Sequence, residues 1–368
     1  MPPPAASGVP ASSAPTIAYS YDAGVNACRL VYGPVQQPFV GEVALAARDD
    51  EVVLVTHHGG VATVSHVTPG DAAPPAVVDA ASARVASPPC AVAGAFSFCM
   101  DEAGAIHRRP LATDGPDNVI ARGRPGAPFA AEVIDSTQVV VVYLADRRTS
   151  EGVVSEAYAV LDDGPPLRLS DDGSGTTHVA LARRGTALLA LLLDGRVAMT
   201  PVHARTLTTS GGRLQAGEDA VVFVGGGAEA STRGAVGTSA TGAAFALVPI
   251  AGEAGFGLAS VRLDDPPHTD EPSTWSTYLN GLDPAPIAAT HDVTPIRVAR
   301  VRPLETRADA PRGLELGKLD DAGSFVSYGL VGSRGRVTST SIAVDRAGML
   351  WLAFTDGTGT WLERRACP

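Results

Sequence analysis

The side chains best suited to acid–base or metal chemistry are the histidines, and their spacing matches no catalytic or metal-binding motif. The sequence contains eight of them: His57, His58, His66, His107, His178, His203, His268 and His291. None forms an HExxH or H-x-H pair that would place two imidazoles on one metal ion, and no G-x-S-x-G elbow supplies a hydrolase nucleophile. The sequence therefore predicts no metal ion and no cofactor, and it singles out no catalytic residue.

Residues 194–205 hold the most unusual polar strand of the chain. After an Asp-Gly turn, this stretch carries Arg196, His203 and Arg205, and it is interrupted by Pro201. Proline within a strand marks an edge or a bulge, and a bulge can aim neighbouring side chains into a groove. We therefore predict that the two arginines and the histidine contact a ligand. The alternative is an outer strand whose charges are merely solvated.

Residues 266–286 form a turn-rich insertion, which is the longest departure from the strand spacing of the chain. Long loops often carry binding residues, and Trp275 and Tyr278 would be natural stacking groups there. Exposed aromatic residues and arginines anchor many interfaces, and arginine pairs bidentately with carboxylates. The sequence thus predicts a partner-binding surface built from this insertion and from the polar strand described above.

The four cysteines, Cys28, Cys90, Cys99 and Cys367, fit two disulfide bonds. The segment from residue 90 to 99 predicts a hairpin that turns at its central Gly-Ala step. In that register its two cysteines face each other at a non-hydrogen-bonded pair, where a disulfide fits. Cys28 and Cys367 can pair if the two ends of the chain meet. Two bridges indicate an oxidising compartment; the alternative is four buried thiols in a cytosolic protein.

Short apolar runs separated by Asp/Gly turns are the elements that must position these residues. The chain contains 40 glycines and 29 prolines, which favour turns over long helices because both residues break helices. Asp and Gly suit tight turns, since Asp caps the local backbone and Gly accepts a positive φ. The apolar runs include residues 52–55, 139–144, 188–193 and 221–224. This pattern predicts an all-β protein.

Weak internal repeats predict how the strands are arranged. Similar segments begin at Val43, Val179 and Ile342, and each separation fits three repeats of about 40–50 residues. We therefore predict a β-propeller of about seven four-stranded blades, with six or eight as alternatives. Its blades are expected to start near residues 43, 90, 130, 179, 220, 287 and 342. Residues 16–368 are predicted to form this single domain, in which the N- and C-terminal strands pair and close the ring. The main alternative is two β-sandwiches split near residues 210–218.

The segment from Ser341 to Trp351 resembles the repeats of Asp-box and two-component-regulator propellers. It carries Asp345, Gly348 and then Trp351 around a hairpin turn, as those repeats do. The resemblance covers about one blade. It implies the propeller fold and no active site, and a sialidase is not implied because the chain lacks a set of Asp-boxes.

Terminal composition and net charge bear on location and partners. Residues 1–15 are rich in Pro, Ala and Ser and are predicted to be a disordered tether. It would remain, and could attach the protein to a membrane, after removal of a signal; the alternative is a frayed terminus. No apolar run is long enough for a transmembrane helix. A net charge of −11 without a basic cluster argues against nucleic acid as a partner.

Two functions from different classes are compatible with these observations. The first is a monomeric, non-catalytic binding or scaffold propeller, located in the periplasm, on the cell surface or secreted, which recognises a protein, peptide or glycan through loops on one ring face. The second is a propeller-fold lyase or hydrolase with a polar site at the central funnel, formed by His203 and nearby Arg or Asp residues. The fold hosts both functions, and the missing catalytic motif favours binding.

Overall fold

The chain is built from β-strands throughout the part that the computed structural model describes. The described residues are 28–37, 41–48, 51–58, 61–67, 83–84, 90–111, 117–135, 137–150, 152–171, 175–195, 199–226, 234–252, 255–263, 273–279, 286–303, 312–331 and 337–368. Within these ranges, no helix is long and apolar enough to cross a membrane.

The strands follow one another with short connections in most places. In chain order they are β1 (Arg29–Gln37), β2 (Glu42–Arg48), β3 (Glu51–His58), β4 (Val61–Val67), β5 (Ala83–Arg84), β6 (Cys90–Ala93), β7 (Phe96–Met100), β8 (Ala105–Pro110), β9 (Asn118–Arg122), β10 (Phe129–Val133), β11 (Val139–Thr149), β12 (Gly152–Leu161), β13 (Leu167–Arg168), β14 (Thr176–Arg184), β15 (Ala187–Asp194), β16 (Met199–Ser210), β17 (Arg213–Ala216), β18 (Ala220–Gly226), β19 (Ala235–Thr238), β20 (Ala244–Gly252), β21 (Gly255–Arg262), β22 (Ser273–Leu279), β23 (Ile287–Ala289), β24 (Arg297–Pro303), β25 (Arg312–Leu319), β26 (Phe325–Val331), β27 (Ser339–Val344), β28 (Leu350–Asp356) and β29 (Gly359–Ala366).

These strands form seven antiparallel sheets, which are the blades of a β-propeller. Blades 1 to 6 are β2–β5, β6–β9, β10–β13, β14–β18, β19–β22 and β23–β26, and blade 7 is β27–β29 with β1. The first strand of each blade, here called the inner strand, lies nearest the ring axis. The seven-bladed propeller predicted from the sequence is therefore confirmed, and the chain does not form two sandwiches.

Seven apolar layers, one between each pair of neighbouring blades, hold the ring together. Val52 and Leu54 pack against blade 7, while the alternating Val53 and Val55 pack against blade 2. The second strands of other blades divide their side chains in the same way between two neighbours. Because both faces of a second strand are buried, its sequence is a continuous apolar run rather than an alternating one.

Blade 5 starts later than the sequence predicts. Its inner strand begins at Ala235, whereas the apolar run near residue 220 predicts a start there. That run is β18, which pairs with β16 as a fifth strand of blade 4. β16 is twelve residues long, so its outer edge has room for β17 at one end and β18 at the other. The other six inner strands begin within three residues of the predicted positions.

Strands from the two ends of the described chain complete blade 7. β1 pairs with β29, in a register that places Arg29 opposite Ala366. Immediately beyond this pair, a disulfide joins Cys28 to Cys367. The second predicted disulfide, Cys90–Cys99, is also present, in a hairpin with the predicted register. Both disulfide predictions are confirmed; the tether predicted at residues 1–15 lies outside the described residues.

A four-residue Asp-x-x-Gly turn recurs between strands and explains part of the Asp/Gly pattern. At Asp101, Asp320 and Asp345 the carboxylate accepts hydrogen bonds from the backbone N–H groups two and four residues later. The glycine three residues after each Asp has a φ between +76° and +82°. Asp345 also accepts a hydrogen bond from Nε1 of Trp351 at 2.9 Å, which accounts for the aromatic residue three positions after the glycine of this turn.

Candidate functional site

The inner strands surround a central channel that contains a cavity of about 630 Å³. Small apolar residues from all seven blades form most of its wall, among them Ala46, Val92, Ala131, Ala180, Val236, Ala288 and Ala343. Polar side chains gather near the carboxyl ends of the inner strands: Glu132, Asp135, Arg183, Thr290 and His291. We call this polar end the channel mouth. Cavities of this size with a few polar groups commonly hold small ligands.

A hydrogen bond spans the channel mouth from one side of the ring to the other. Nδ1 of His291 donates to Oε2 of Glu132 at 2.9 Å, and these residues belong to blades 6 and 3, which are not neighbours. The other carboxylate oxygen of Glu132 accepts from the backbone N–H of Val133. The imidazole and carboxylate, 34% and 20% exposed, therefore narrow the mouth while remaining open to solvent.

Arg183 and Asp135 lie beside this bridge on neighbouring blades. Nε of Arg183 donates to the carbonyl oxygen of Gly185 at 3.1 Å. One carboxylate oxygen of Asp135 accepts the backbone N–H groups of Thr137 and Gln138. Those two hydrogen bonds, together with the positive charge of Arg183, hold the pKa of Asp135 below its ordinary value. The mouth thus carries a fixed carboxylate and a fixed guanidinium.

A second cavity of about 470 Å³ adjoins the channel mouth between blades 3 and 4. Asp135 and Arg183 line both cavities. The other lining side chains are Ile134, Thr186, Thr208 and Thr209. The two charged groups therefore face the open space where the two cavities meet, and they do not form an ion pair with each other.

His203 and Arg205, two of the predicted site residues, form a cluster on blade 4 around Asp219. Nδ1 of His203 donates to one carboxylate oxygen of Asp219 at 2.7 Å, and Nε of Arg205 donates to the other at 3.2 Å. Arg205 also lies 3.4 Å from a carboxylate oxygen of the exposed Asp171. Asp219 stands where the chain passes from β17 to β18, so the cluster fixes both outer strands to β16. A register shift between Val202 and His203 is the bulge that Pro201 predicts.

The charges of this cluster shift the pKa values of its members in opposite directions. The hydrogen bond to Asp219 raises the pKa of His203, against the opposing effect of burial, and the negative charges of Asp219, Asp194 and Asp171 raise it further. Burial alone would raise the pKa of Asp219, but its contacts with His203 and Arg205 outweigh that effect and lower it. Both groups are therefore stabilised in their charged forms.

The remaining predicted site residues are on different elements. Trp275 and Tyr278 belong to β22, the outermost strand of blade 5, and not to an insertion loop, because the sequence STWSTYL has the β-branched and aromatic composition of a strand. Their side chains and Arg196 lie outside the described part of the structure. His203 and Arg205 are brought together with Asp219. Blades 4 and 5 are neighbours in the ring, so β16 and β22 lie in adjacent blades.

His203 does not lie at the central funnel, so the enzyme interpretation that placed it there is wrong on this point. It sits on the third strand of its blade, whereas the channel wall is made by inner strands and the hairpins that follow them. The physical reason is the position of residues 199–210 after the buried second strand, which carries them outward from the ring axis.

Several other titratable groups of the described chain are engaged in structural contacts. His66 bonds to Glu51 and to the carbonyl of Leu111, and His178 bonds to the carbonyl of Gly234. The buried Glu315 receives Nε of Arg300 at 2.8 Å. Within the described ranges, no group of three His, Cys, Asp or Glu residues is arranged to hold a metal ion.

Sequence reasoning missed the channel-mouth residues Glu132, Asp135 and Arg183, and it named His291 only among the histidines that match no motif. Glu132 and His291 are 159 residues apart, and only closure of the ring brings them together. A signal was nevertheless present, since Glu132 and His291 follow the predicted blade starts at 130 and 287 by only a few residues. When polar residues occur a few positions after the start of the inner strand in several blades, they predict a polar cluster at one end of the channel.

Comparisons with known proteins agree with the fold and go no further. The sequence matches no protein-family model and no curated protein. Among solved structures, the β-propeller domain of Cps50 (Swd1) from Myceliophteria thermophila is similar with a TM-score of 0.52 and 11% identity, covering 92% of this chain and 99% of that one. The N-terminal domain of Nup159 is similar with a TM-score of 0.51 and 8% identity, covering 92% and 93%. At these identities the likeness shows a shared β-propeller architecture alone.

Proposed function

We propose that this protein is an exported binding or scaffold propeller that recognises a protein, peptide or glycan through one face of its ring. The observation that carries the proposal is that many titratable side chains of the described residues are engaged in structural hydrogen bonds and ion pairs. The described histidine side chains are held by carboxylates or main-chain carbonyls, and buried acids such as Glu315 and Asp345 are held by arginines. Such pairing builds a rigid scaffold, which suits recognition better than proton transfer.

Two disulfides support the export part of the proposal. The bonds Cys28–Cys367 and Cys90–Cys99 are compatible with an oxidising compartment. The test is differential alkylation of the protein in its native cells. The exported fraction is separated before the cytoplasm is lysed, and the cysteines of the protein are then alkylated in each fraction. Oxidised cysteines in the exported fraction are expected. Four alkylated thiols in a cytoplasmic fraction would refute export.

The recognition surface is proposed to include His203, Arg205, Trp275 and Tyr278, with Arg196. Arginine beside aromatic residues is typical of interface anchors. A photo-crosslinking amino acid placed at 275 or 278 should capture one partner from the exported fraction. The matched control is position 153, because Val153 is 63% exposed and lies on blade 3, which carries none of the proposed surface residues.

Binding of the purified partner then decides between the functions. Arg205→Ala should weaken binding at least tenfold, measured by calorimetry, while circular dichroism shows an unchanged fold. Equal crosslinking at 153 and 275, or unchanged binding by Arg205→Ala, contradicts the surface. If the captured molecule is instead chemically converted by the wild type, the protein is an enzyme and the binding proposal is wrong.

A further inference from the structure

The channel mouth contains an arginine, Arg183, that forms no salt bridge with the carboxylates of the described residues. In this acidic chain, with a net charge of −11, several described arginines are paired with carboxylates, for example Arg108–Asp162, Arg300–Glu315, Arg364–Asp345 and Arg365–Glu363. Arg183 instead donates Nε to a main-chain carbonyl, and no ion pair joins it to any carboxylate of the described residues. Its two terminal amino groups thus keep their capacity to bind an anion.

A carboxylate stands next to this arginine without pairing with it. Asp135 lines the same two cavities as Arg183 and feels its charge. One of its oxygens is held by the turn from 135 to 138, which fixes the direction of the other. Glu132 adds a second carboxylate to the mouth, bound by His291. The mouth therefore offers a cation site and anion sites close together.

The wall beyond these charges is apolar and made of small residues. Ala46, Ala131, Ala180 and Ala288 contribute to a cavity of about 630 Å³, within the range that holds small-molecule ligands. Aromatic side chains are not among the cavity-lining residues described, which disfavours sugar stacking. A ligand that satisfies the mouth must carry both charges, and its remainder must be apolar.

We propose that the channel mouth binds a small zwitterion of the α-amino-acid type with an apolar side chain. Its carboxylate lies on the guanidinium of Arg183, its ammonium lies between Asp135 and Glu132, and its side chain enters the alanine-lined channel. Arginine suits the carboxylate because its planar fork makes two parallel hydrogen bonds. This site is formed at the inner strands of the ring, whereas the recognition surface proposed above involves the outer strands β16 and β22. Either proposal can therefore fail without the other.

The experiment is isothermal titration calorimetry of the full disulfide-bonded chain with L-leucine as the probe. Two analogues remove one charge each: 3-methylbutylamine lacks the carboxylate, and 4-methylpentanoate lacks the ammonium. Leucine should bind, and both analogues should bind at least tenfold more weakly. Glycine should also bind more weakly than leucine, because it leaves the apolar channel unfilled. Failure of leucine, alanine, valine and phenylalanine to bind, or equal binding of either analogue, overturns the proposal.

Variants locate the binding site. Arg183→Gln and Asp135→Asn should each weaken leucine binding at least tenfold, and the Asn amide oxygen preserves the turn acceptor. The matched controls are Arg346→Gln and Asp163→Asn, because both residues are exposed in turns and line neither described cavity. Thermal unfolding verifies that each variant is folded. Binding that is unchanged in both mouth variants, or equally weakened in the controls, rejects the site.

Discussion

Single polar side chains connect neighbouring blades at positions where the apolar layers end, and Thr238 is the clearest case. Its hydroxyl donates to the carbonyl of Arg183 in blade 4 and accepts the N–H of Asp292 in blade 6 at 2.9 Å. Its backbone N–H donates to Thr290 and its carbonyl accepts from Val293. A fully buried threonine thus joins three consecutive blades beside the channel mouth.

Replacing Thr238 by valine should destabilise the protein by about 2–3 kcal/mol, because two partly buried main-chain groups lose their partner, each at the lower end of about 1–3 kcal/mol. Thr238→Ser is the matched control, since it keeps the hydroxyl and removes one methyl group, at about 1 kcal/mol. Urea denaturation measures both. A serine variant as unstable as the valine variant would show that packing and not hydrogen bonding matters here.

The His203–Asp219 pair should make stability depend on pH. Because the pKa of His203 is raised, its contribution is complete below about pH 6.5, the ordinary histidine value, and is lost as pH rises through the raised folded-state pKa. Because the pKa of Asp219 is lowered, its contribution is present above about pH 3.9 and is lost as pH falls through the folded value. The full effect is therefore expected between about pH 4 and 6.5.

Asp219→Asn should accordingly reduce the free energy of unfolding by about 1–3 kcal/mol at pH 5.5. The difference from wild type should shrink at pH 8.5 without vanishing, because Arg205 still pairs with Asp219 there. Urea denaturation at the two pH values gives the result, with exposed Asp163→Asn as control. A difference that is equal at both pH values would contradict the role of His203 charge.

At the scale of elements, the Asp-x-x-Gly turn shows how one local motif serves different surroundings. Gly323 and Gly348 have similar backbones, with φ of +82° and +76°. A Cβ at Gly323 would lie 2.5 Å from Cε1 of Phe245 on the neighbouring blade, whereas a Cβ at Gly348 meets nothing within 4 Å. The first turn is therefore wedged between blades, and the second is open to solvent.

Gly348→Ala should cost about 1 kcal/mol, the conformational penalty of a left-handed residue. Gly323→Ala should cost about 1–3 kcal/mol more, because Phe245 must shift in a packed layer. Thermal or urea unfolding of the two variants compares them directly. Equal destabilisation would mean that the blade 5–6 layer yields to the added methyl group.

The elements were largely predictable because they depend on local patterns. The hairpin from Cys90 to Cys99 has the register that its length and turn predict, and apolar runs such as residues 188–193 correctly indicate strands. The run at 221–224 could not be assigned in this way, because a fifth strand of one blade and the first strand of the next have the same composition. What distinguishes them is the free edge of a long β16, which is a tertiary property.

The candidate site was less predictable than the strands that hold it. Arg205 and His203 stand out in the sequence by residue type, and the structure shows them bound to Asp219, a partner 14 and 16 residues away. Arg183 looks ordinary in the sequence, as one of two consecutive arginines at a strand end. Its significance comes from the ring, which places Asp135 and the channel beside it.

At the scale of the whole molecule, two sets of contacts at blade 7 close the ring: those between blades 7 and 1, and those between the two ends of the described chain. The apolar layer of blades 7 and 1 includes Trp351 and Leu54, and the hydroxyls of Ser339 and Ser341 accept the N–H groups of Val43 and Leu45. The pairing of β1 with β29 and the bond Cys28–Cys367 then tie the chain ends within blade 7. Opening the ring requires all of these contacts to be lost.

The two disulfides should therefore differ in their effect on stability. Cys28 and Cys367 are 339 residues apart, and Cys90 and Cys99 are 9 residues apart. Loop-closure entropy predicts a loss on the order of 5 kcal/mol for replacing the first pair by serine and about 2–3 kcal/mol for the second. Non-reducing urea denaturation of the two double variants tests this order. A larger effect of the hairpin bond would contradict the ring-closure argument.

The position of β1 also determines when blade 7 can form during biosynthesis. A ribosome makes Arg29–Gln37 before the other described strands of the ring, whereas its partner Gly359–Ala366 is made after all of them. While the strands between them are being made, β1 has no native neighbour and exposes unpaired backbone groups that other chains can bind. Blade 7 can therefore be completed only after the eight-residue strand β29 has emerged, and until then the edge of β1 stays unpaired.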